Sequence, residues 1–230
     1  MELDLQAMYA GSFDRISGLM RGLTDEQAVA TRVPATPLWN VHDLLAHVTA
    51  VTTYALRGDT GGAGTPEWTG QQVAEREQRT LAQLHDEWAP KVPRIVDLLR
   101  HPGTQLIAYD VYCHEHDLRG AVGIEGTADP ETTHAVTEFT ATLLAARIAQ
   151  HYLPPVCVRT TEGDVWGAAD PDAVTVMAPT FELFRALFGR RSDAQVRAYE
   201  WSGDPEPYLG VWSFFGALPS VDVIEGAELG

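Results

Sequence analysis

Basic residues are scarce in this 230-residue chain, and lysine is nearly missing: Lys91 stands alone beside fifteen arginines. Against 32 acidic residues the formal charge is −16. Nucleic acid and anionic lipid need concentrated Lys and Arg, so neither is expected as a partner. The acidity reads as a solubility device and the arginine preference as a coding bias. Cysteine is equally sparse. Cys113 and Cys157 form no C-x-x-C pair and are too few for a disulfide framework, which points to a reducing compartment. No run approaches the roughly 20 apolar residues that span a bilayer. The start, Met1-Glu2-Leu3-Asp4, lacks the positive charge of a secretory signal, so a cytoplasmic location is expected. What is there, 45% hydrophobic and 21% charged residues, suits a soluble globular protein of one large or two small domains.

Periodicity divides the chain into a helical part and a mixed part. Leu5, Met8, Tyr9, Phe13, Ile16 and Leu19 recur at helical steps. A short helix is expected after Thr24, then a loop through Pro37, with Asn40 as the N-cap of a helix from Val41 to about Arg57. Beyond a Gly-rich loop, one long polar helix is predicted from Gly70 to Leu99, bent near Pro90 and Pro93. Leu106 to Ala121 and Glu131 to Tyr152 are further helices, the last stopped by Pro154-Pro155. Past that point the spacing predicts a hairpin around Glu162-Gly163, a strand over Ala173 to Ala178, a helix from Thr180 to Phe188 and a strand from Gln195 to Trp201. The expected fold is mainly α: a four-helix bundle over residues 1–153, followed by a small α+β domain over 154–230.

Eight histidines are present, and three fall where the chain is otherwise apolar and helical: His47, His114 and His116. Asp110 and His114 are four apart, so on a helix they share one face. With one more donor from a neighbouring helix they can surround a metal ion and leave a position open, as in catalytic zinc sites. His116 could replace His114 as a ligand, but it points about 200° around the helix, away from Asp110, and could share a site with His114 only on an irregular helix. From spacing alone, a D-x-x-x-H pair and a histidine beside an apolar stripe also fit ordinary helix and core roles.

The segments Trp39-Asn-Val-His-Asp-Leu-Leu-Ala-His47 and Asp110-Val-Tyr-Cys-His114-Glu-His-Asp117 resemble the maleylpyruvate isomerase family of mycothiol-dependent enzymes. Those enzymes belong to the wider DinB-like group of metal-binding bundles. The segment from Ala173 to Arg190 is similar to the small domain that follows the bundle there, so the resemblance spans nearly the whole chain. It implies a zinc site made of His47, Asp110 and His114, with nickel, manganese or iron as other occupants. Asp110 departs from the pattern, which has Glu at that place; Asp is one methylene shorter but still a hard oxygen donor. The resemblance further implies mycothiol or a similar small thiol as cofactor, a small electrophilic substrate, and isomerisation or S-transfer as the reaction. Arg190, matching the family's Gly-Arg, is the candidate for contacting an anionic substrate or cofactor, and Arg119 is a weaker one.

Among neighbours of the site, Trp39 reads as a core anchor and Cys113 as core packing. His42 and Asp43 read as exposed helix-start residues. Two other functions remain open at this level: a non-catalytic metal- or small-molecule-binding stress-response protein, and hydrolysis by a metal-activated water.

Overall fold

The computed structural model describes residues 3–168, 170 and 172–226. Contacts divide it into two compact units, Asp4–Glu125 and Gly126–Ile224. The first contains helices α1 (Leu5–Arg21), α2 (Asp25–Ala30), α3 (Val41–Arg57), α4 (Pro66–Ala74), α5 (Leu81–Trp88), α6 (Val92–Leu98) and α7 (Gln105–Ala121). A 3-10 turn, Ala89–Lys91, joins α5 to α6 so that the two act as one bent rod.

Four rods make the bundle: α1 packs on α7 and α6, and α3 packs on α7, α5 and α6. The sequence sets each start. Asp4 caps α1 by accepting from the Gln6 and Ala7 amides, and Asn40 with Asp43 forms a capping box at α3. Gly58, at φ +74°, closes α3 in a conformation that favours glycine. α3 and α7 are buried almost all round, whereas α1 buries one stripe through Met8, Tyr9, Ser12, Ile16 and Met20. Leu44 and Leu45 are fully buried, and each such side chain contributes about 1.5–3 kcal/mol. At the bundle centre the Trp88 indole donates to Tyr9 Oη at 2.9 Å, and Tyr9 Oη meets Thr52 Oγ1 at 2.9 Å. That chain of bonds joins α1, α3 and α5.

The long helix expected from Gly70 to Leu99 is broken. Thr80 and Gln83 form a capping box that starts α5 anew. Between α4 and α5, Arg76 turns inward to bond Glu87. A buried ion pair and a fresh cap outweigh continuous helical propensity there.

The second unit holds α8 (Pro130–Gln150), β1 (Val156–Thr160), β2 (Val165–Gly167), β3 (Val174–Ala178), α9 (Thr180–Leu187), α10 (Asp193–Arg197), β4 (Glu200–Trp201) and α11 (Glu206–Leu209). The sheet order is β2-β1-β3-β4, with β1 parallel to β3 and the outer pairs antiparallel. The hairpin at Glu162-Gly163 is present, as is the Ala173–Ala178 strand in slightly shorter form. The expected strand from Gln195 to Trp201 is helix through Arg197 and turn or bend over the next two residues, because Ser192 and Gln195 form a capping box that opens α10. Only Glu200 and Trp201 pair with β3.

The sequence reading places the 130–150 helix with the bundle. Its packing partners in the structure are α9, β2 and β1, through a stripe that includes Val136, Leu144 and Ile148. The architecture is therefore a helical bundle followed by a smaller α+β part, with the contact boundary at 125/126.

Candidate metal centre

His47 lies midway along α3 and is buried, and Asp110 and His114 lie one turn apart on α7. Because α3 and α7 pack together, one ligand-type atom from each of the three residues falls within 4.8 Å of the others. Asp110 Oδ1 is 3.6 Å from His47 Nε2 and 3.5 Å from His114 Nε2.

The opposite edge of each imidazole is held. His47 Nδ1 lies 2.8 Å from Gln72 Oε1, and His114 Nδ1 lies 2.8 Å from Asp117 Oδ2. An amide oxygen and a carboxylate only accept, so both Nδ1 atoms donate. In the neutral rings this leaves both Nε2 atoms as bare acceptors turned toward a carboxylate oxygen. Three acceptors facing one point suit a cation among them. The spacing fits a metal better than a proton: charge-assisted N–H···O bonds run about 2.7–2.9 Å. Two donors bound to one tetrahedral ion at about 2.0–2.2 Å stand roughly 3.3–3.5 Å apart. An imidazole whose far nitrogen donates to a carboxylate or amide is also the usual setting of a metal-binding histidine.

The electrostatics favour a bound cation here, whether proton or metal. Burial alone would discharge His114, but Asp110 and Asp117 outweigh it and raise the imidazole to about 9. Burial likewise opposes a charged Asp110, yet His114 and His47 hold its carboxyl far below the usual range. The pocket thus favours positive charge at the point where the three donors meet.

Two indoles wall the site. The Trp39 ring centroid is 5.0 Å from that of His47 and 6.0 Å from that of His114, and Trp68 stands edge-on to His47 at 6.4 Å. Trp39 is half-buried rather than a core anchor. Its loop is pinned by the Trp39 amide donating to Thr36 O and the Val33 amide donating to Trp39 O. Pro66 and the Thr65 cap start α4 so that Trp68 and Gln72, one turn apart, both reach α3.

Other expected residues take other places. Arg190 sits in the second unit just past α9, where its Nη1 donates to Phe188 O at 2.8 Å. Its neighbour Arg191 pairs with Glu182. His42 is buried rather than exposed, with Nε2 at 2.7 Å from Arg79 O, while Asp43 serves as the α3 cap. His116 bonds Tyr112 O through Nδ1, and Cys113 is buried. Sequence reasoning missed Gln72 and Asp117 as partners of the two histidines. Asp117 was within reach of a spacing argument, three residues after His114 on one helix. Gln72 is 25 residues from His47, and no local signal links them.

No helix among the described residues is long and apolar enough to cross a membrane. No curated protein matches the chain. Two solved structures share its fold. One is a crystal structure of the mycothiol-dependent maleylpyruvate isomerase, with a TM-score of 0.57 at 16% identity, covering 88% of this chain and 93% of that one. The other is a histidine-to-alanine mutant of a mycothiol-dependent maleylpyruvate isomerase, with a TM-score of 0.54 at 14% identity and the same coverage. Residues 9–108 match the family described as the mycothiol maleylpyruvate isomerase N-terminal domain. That stretch carries His47, Gln72 and both indoles and ends before Asp110 and His114, so over the first three rods of the bundle the chain is similar to the N-terminal domain of that family.

Proposed function

We propose that the chain is a metal- and thiol-dependent isomerase of a small electrophilic substrate, with mycothiol as the thiol and zinc as the first candidate among divalent metals. The observation that carries this reading is the convergence of His47 Nε2, Asp110 Oδ1 and His114 Nε2, with both imidazoles braced from behind. Both structural likenesses are to isomerases, which favours isomerisation over S-transfer.

His47, Asp110 and His114 would hold the metal, three donors being the count that leaves a position for a ligand. Bound together, metal and thiol would supply a thiolate nucleophile, whose addition to a cis double bond permits rotation and whose elimination then returns the thiol and the trans product. The rest falls to the chain's own side chains. Gln72 and Asp117 fix the tautomers, so both Nε2 lone pairs stay aimed inward. Trp39 and Trp68 limit water beside the histidines, which strengthens every charge interaction there. Arg190 remains our candidate for meeting an anionic group of substrate or thiol.

The test is isomerisation of maleylpyruvate by the purified chain, with mycothiol and metal each added and withheld. Activity that needs both supports the proposal. Cleavage products formed without thiol would favour hydrolysis by a metal-activated water, and ligand binding without turnover would favour a binding protein.

A further inference from the structure

The bundle carries a second, chemically different cleft. It has a volume of about 410 Å³ and lies among the C-terminal end of α3, the segment joining α4 to α5, and the rod α5–α6. None of its lining residues belongs to the metal centre. Its charge inverts that of the chain. Basic side chains are outnumbered two to one overall, 16 against 32, yet five basic residues line this cleft beside two carboxylates. They include Lys91, the chain's sole lysine.

The two carboxylates are committed to the floor. Glu87 accepts from Arg76 Nη2 at 2.8 Å, from Thr53 Oγ1 at 2.9 Å and from Lys91 Nζ at 3.2 Å. Burial works against its charge, but Arg76, Thr53 and Lys91 bring the carboxyl down to about 2, so it stays ionised. Glu75 pairs with Arg76 at 3.2 Å and accepts from Tyr54 Oη. Arg76 is buried and spends its remaining donor reach on Gln72 O. Arg57 on α3 and Arg94 on α6 differ. Both are exposed side chains on the wall of the cleft, and among the described residues neither makes an ion pair or hydrogen bond.

We infer that this cleft binds a small dianion, bridged between the Arg57 and Arg94 guanidinium groups. Arg79 also pairs with Glu87, at 3.6 Å, so the floor sets three cations against two carboxylates, and charge added by the ligand is met by the two free guanidiniums and that one positive excess. A guanidinium fork suits the planar carboxylate and the tetrahedral phosphate alike. The volume lies within the range of small-molecule pockets, about 300–1,000 Å³. In a chain of net charge −16, a local excess of cations is also what draws an anion to one place on the surface. Phosphate and a dicarboxylate present the same oxygen chemistry to these groups, and the experiment separates them.

The purified full chain is titrated calorimetrically at low ionic strength with inorganic phosphate and, in a parallel arm, with succinate. One saturable site in either arm is expected, weakening as sodium chloride is raised. The Arg57→Gln/Arg94→Gln double variant is expected to lose about tenfold or more in affinity, the worth of one or two charge-assisted hydrogen bonds. Its melting temperature and metal content should match the parent, since both side chains are exposed and unpaired. A saturable phosphate arm alone assigns the cleft to phosphate esters, and a saturable succinate arm alone assigns it to dicarboxylates. Absence of saturable binding in both arms overturns the inference, as does unchanged affinity in a folded double variant. Metal content is read independently, so failure here leaves the metal centre standing, and failure of the metal centre leaves this cleft standing.

Discussion

His114 Nδ1 donates to Asp117 Oδ2 across 2.8 Å, between residues three apart on one helix, and Asp117 is fully buried. That bond sets which nitrogen of His114 is free. Removing it in Asp117→Ala releases the tautomer and leaves a buried N–H without its acceptor. Loss of such a partner behind a metal-binding histidine typically weakens metal affinity about 10–100-fold. Chelator competition on the variant reads this directly, with circular dichroism to establish that the helix persists. Unchanged affinity in a folded variant would show that Asp117 does not govern His114.

The ionic floor beneath the cationic cleft gives a pH prediction. Glu87 has an ordinary value of 4.5, lowered to about 2 in the folded chain. A carboxyl lowered by folding stabilises fully above its unfolded value and loses that contribution as pH falls through the folded one. Denaturant unfolding should therefore show the parent more stable than Glu87→Gln at neutral pH. The gap should close as pH drops from 4.5 toward about 2. A gap independent of pH would contradict the assignment of Glu87 as an ionised hub.

The centre of the bundle is tested by Tyr9→Phe. This variant keeps the ring but strips the Trp88 indole of its acceptor, and Trp88 is fully buried. An orphaned buried donor costs about 1–3 kcal/mol, and in a chain of this size each kcal/mol moves the melting temperature by roughly 2–4 °C. A drop of several degrees is expected in thermal unfolding. No drop would mean that the indole finds another acceptor.

Much of this was legible in the residues, and the exceptions are physical. α3 was readable to the residue because its signals are local: Asn40 caps it, Gly58 ends it, and an apolar stripe runs between them. The break between α4 and α5 was missed although the Thr80-x-x-Gln83 pattern marks it. The burial of Arg76 against Glu87, which favours the break, joins residues 11 apart. Ser192-x-x-Gln195 likewise marks α10, in a segment whose Val196 and Tyr199 are β-prone. At the site, the pairing of Asp110 with His114 followed from helical spacing. Bringing in His47 followed from resemblance, because spacing cannot say which faces of two helices meet. Gln72 and Trp68 depended wholly on how α4 packs on α3, and no periodicity reports that.

The central claim is that His47, Asp110 and His114 hold one metal ion. Elemental analysis of the chain, purified without chelator or added metal, tests it most directly, with His47→Ala and Asp110→Asn prepared alongside. About one divalent transition-metal ion per parent chain is expected, and its loss from both variants while they remain folded. A metal-free parent, or a His47→Ala chain that keeps its full complement of metal, would contradict it.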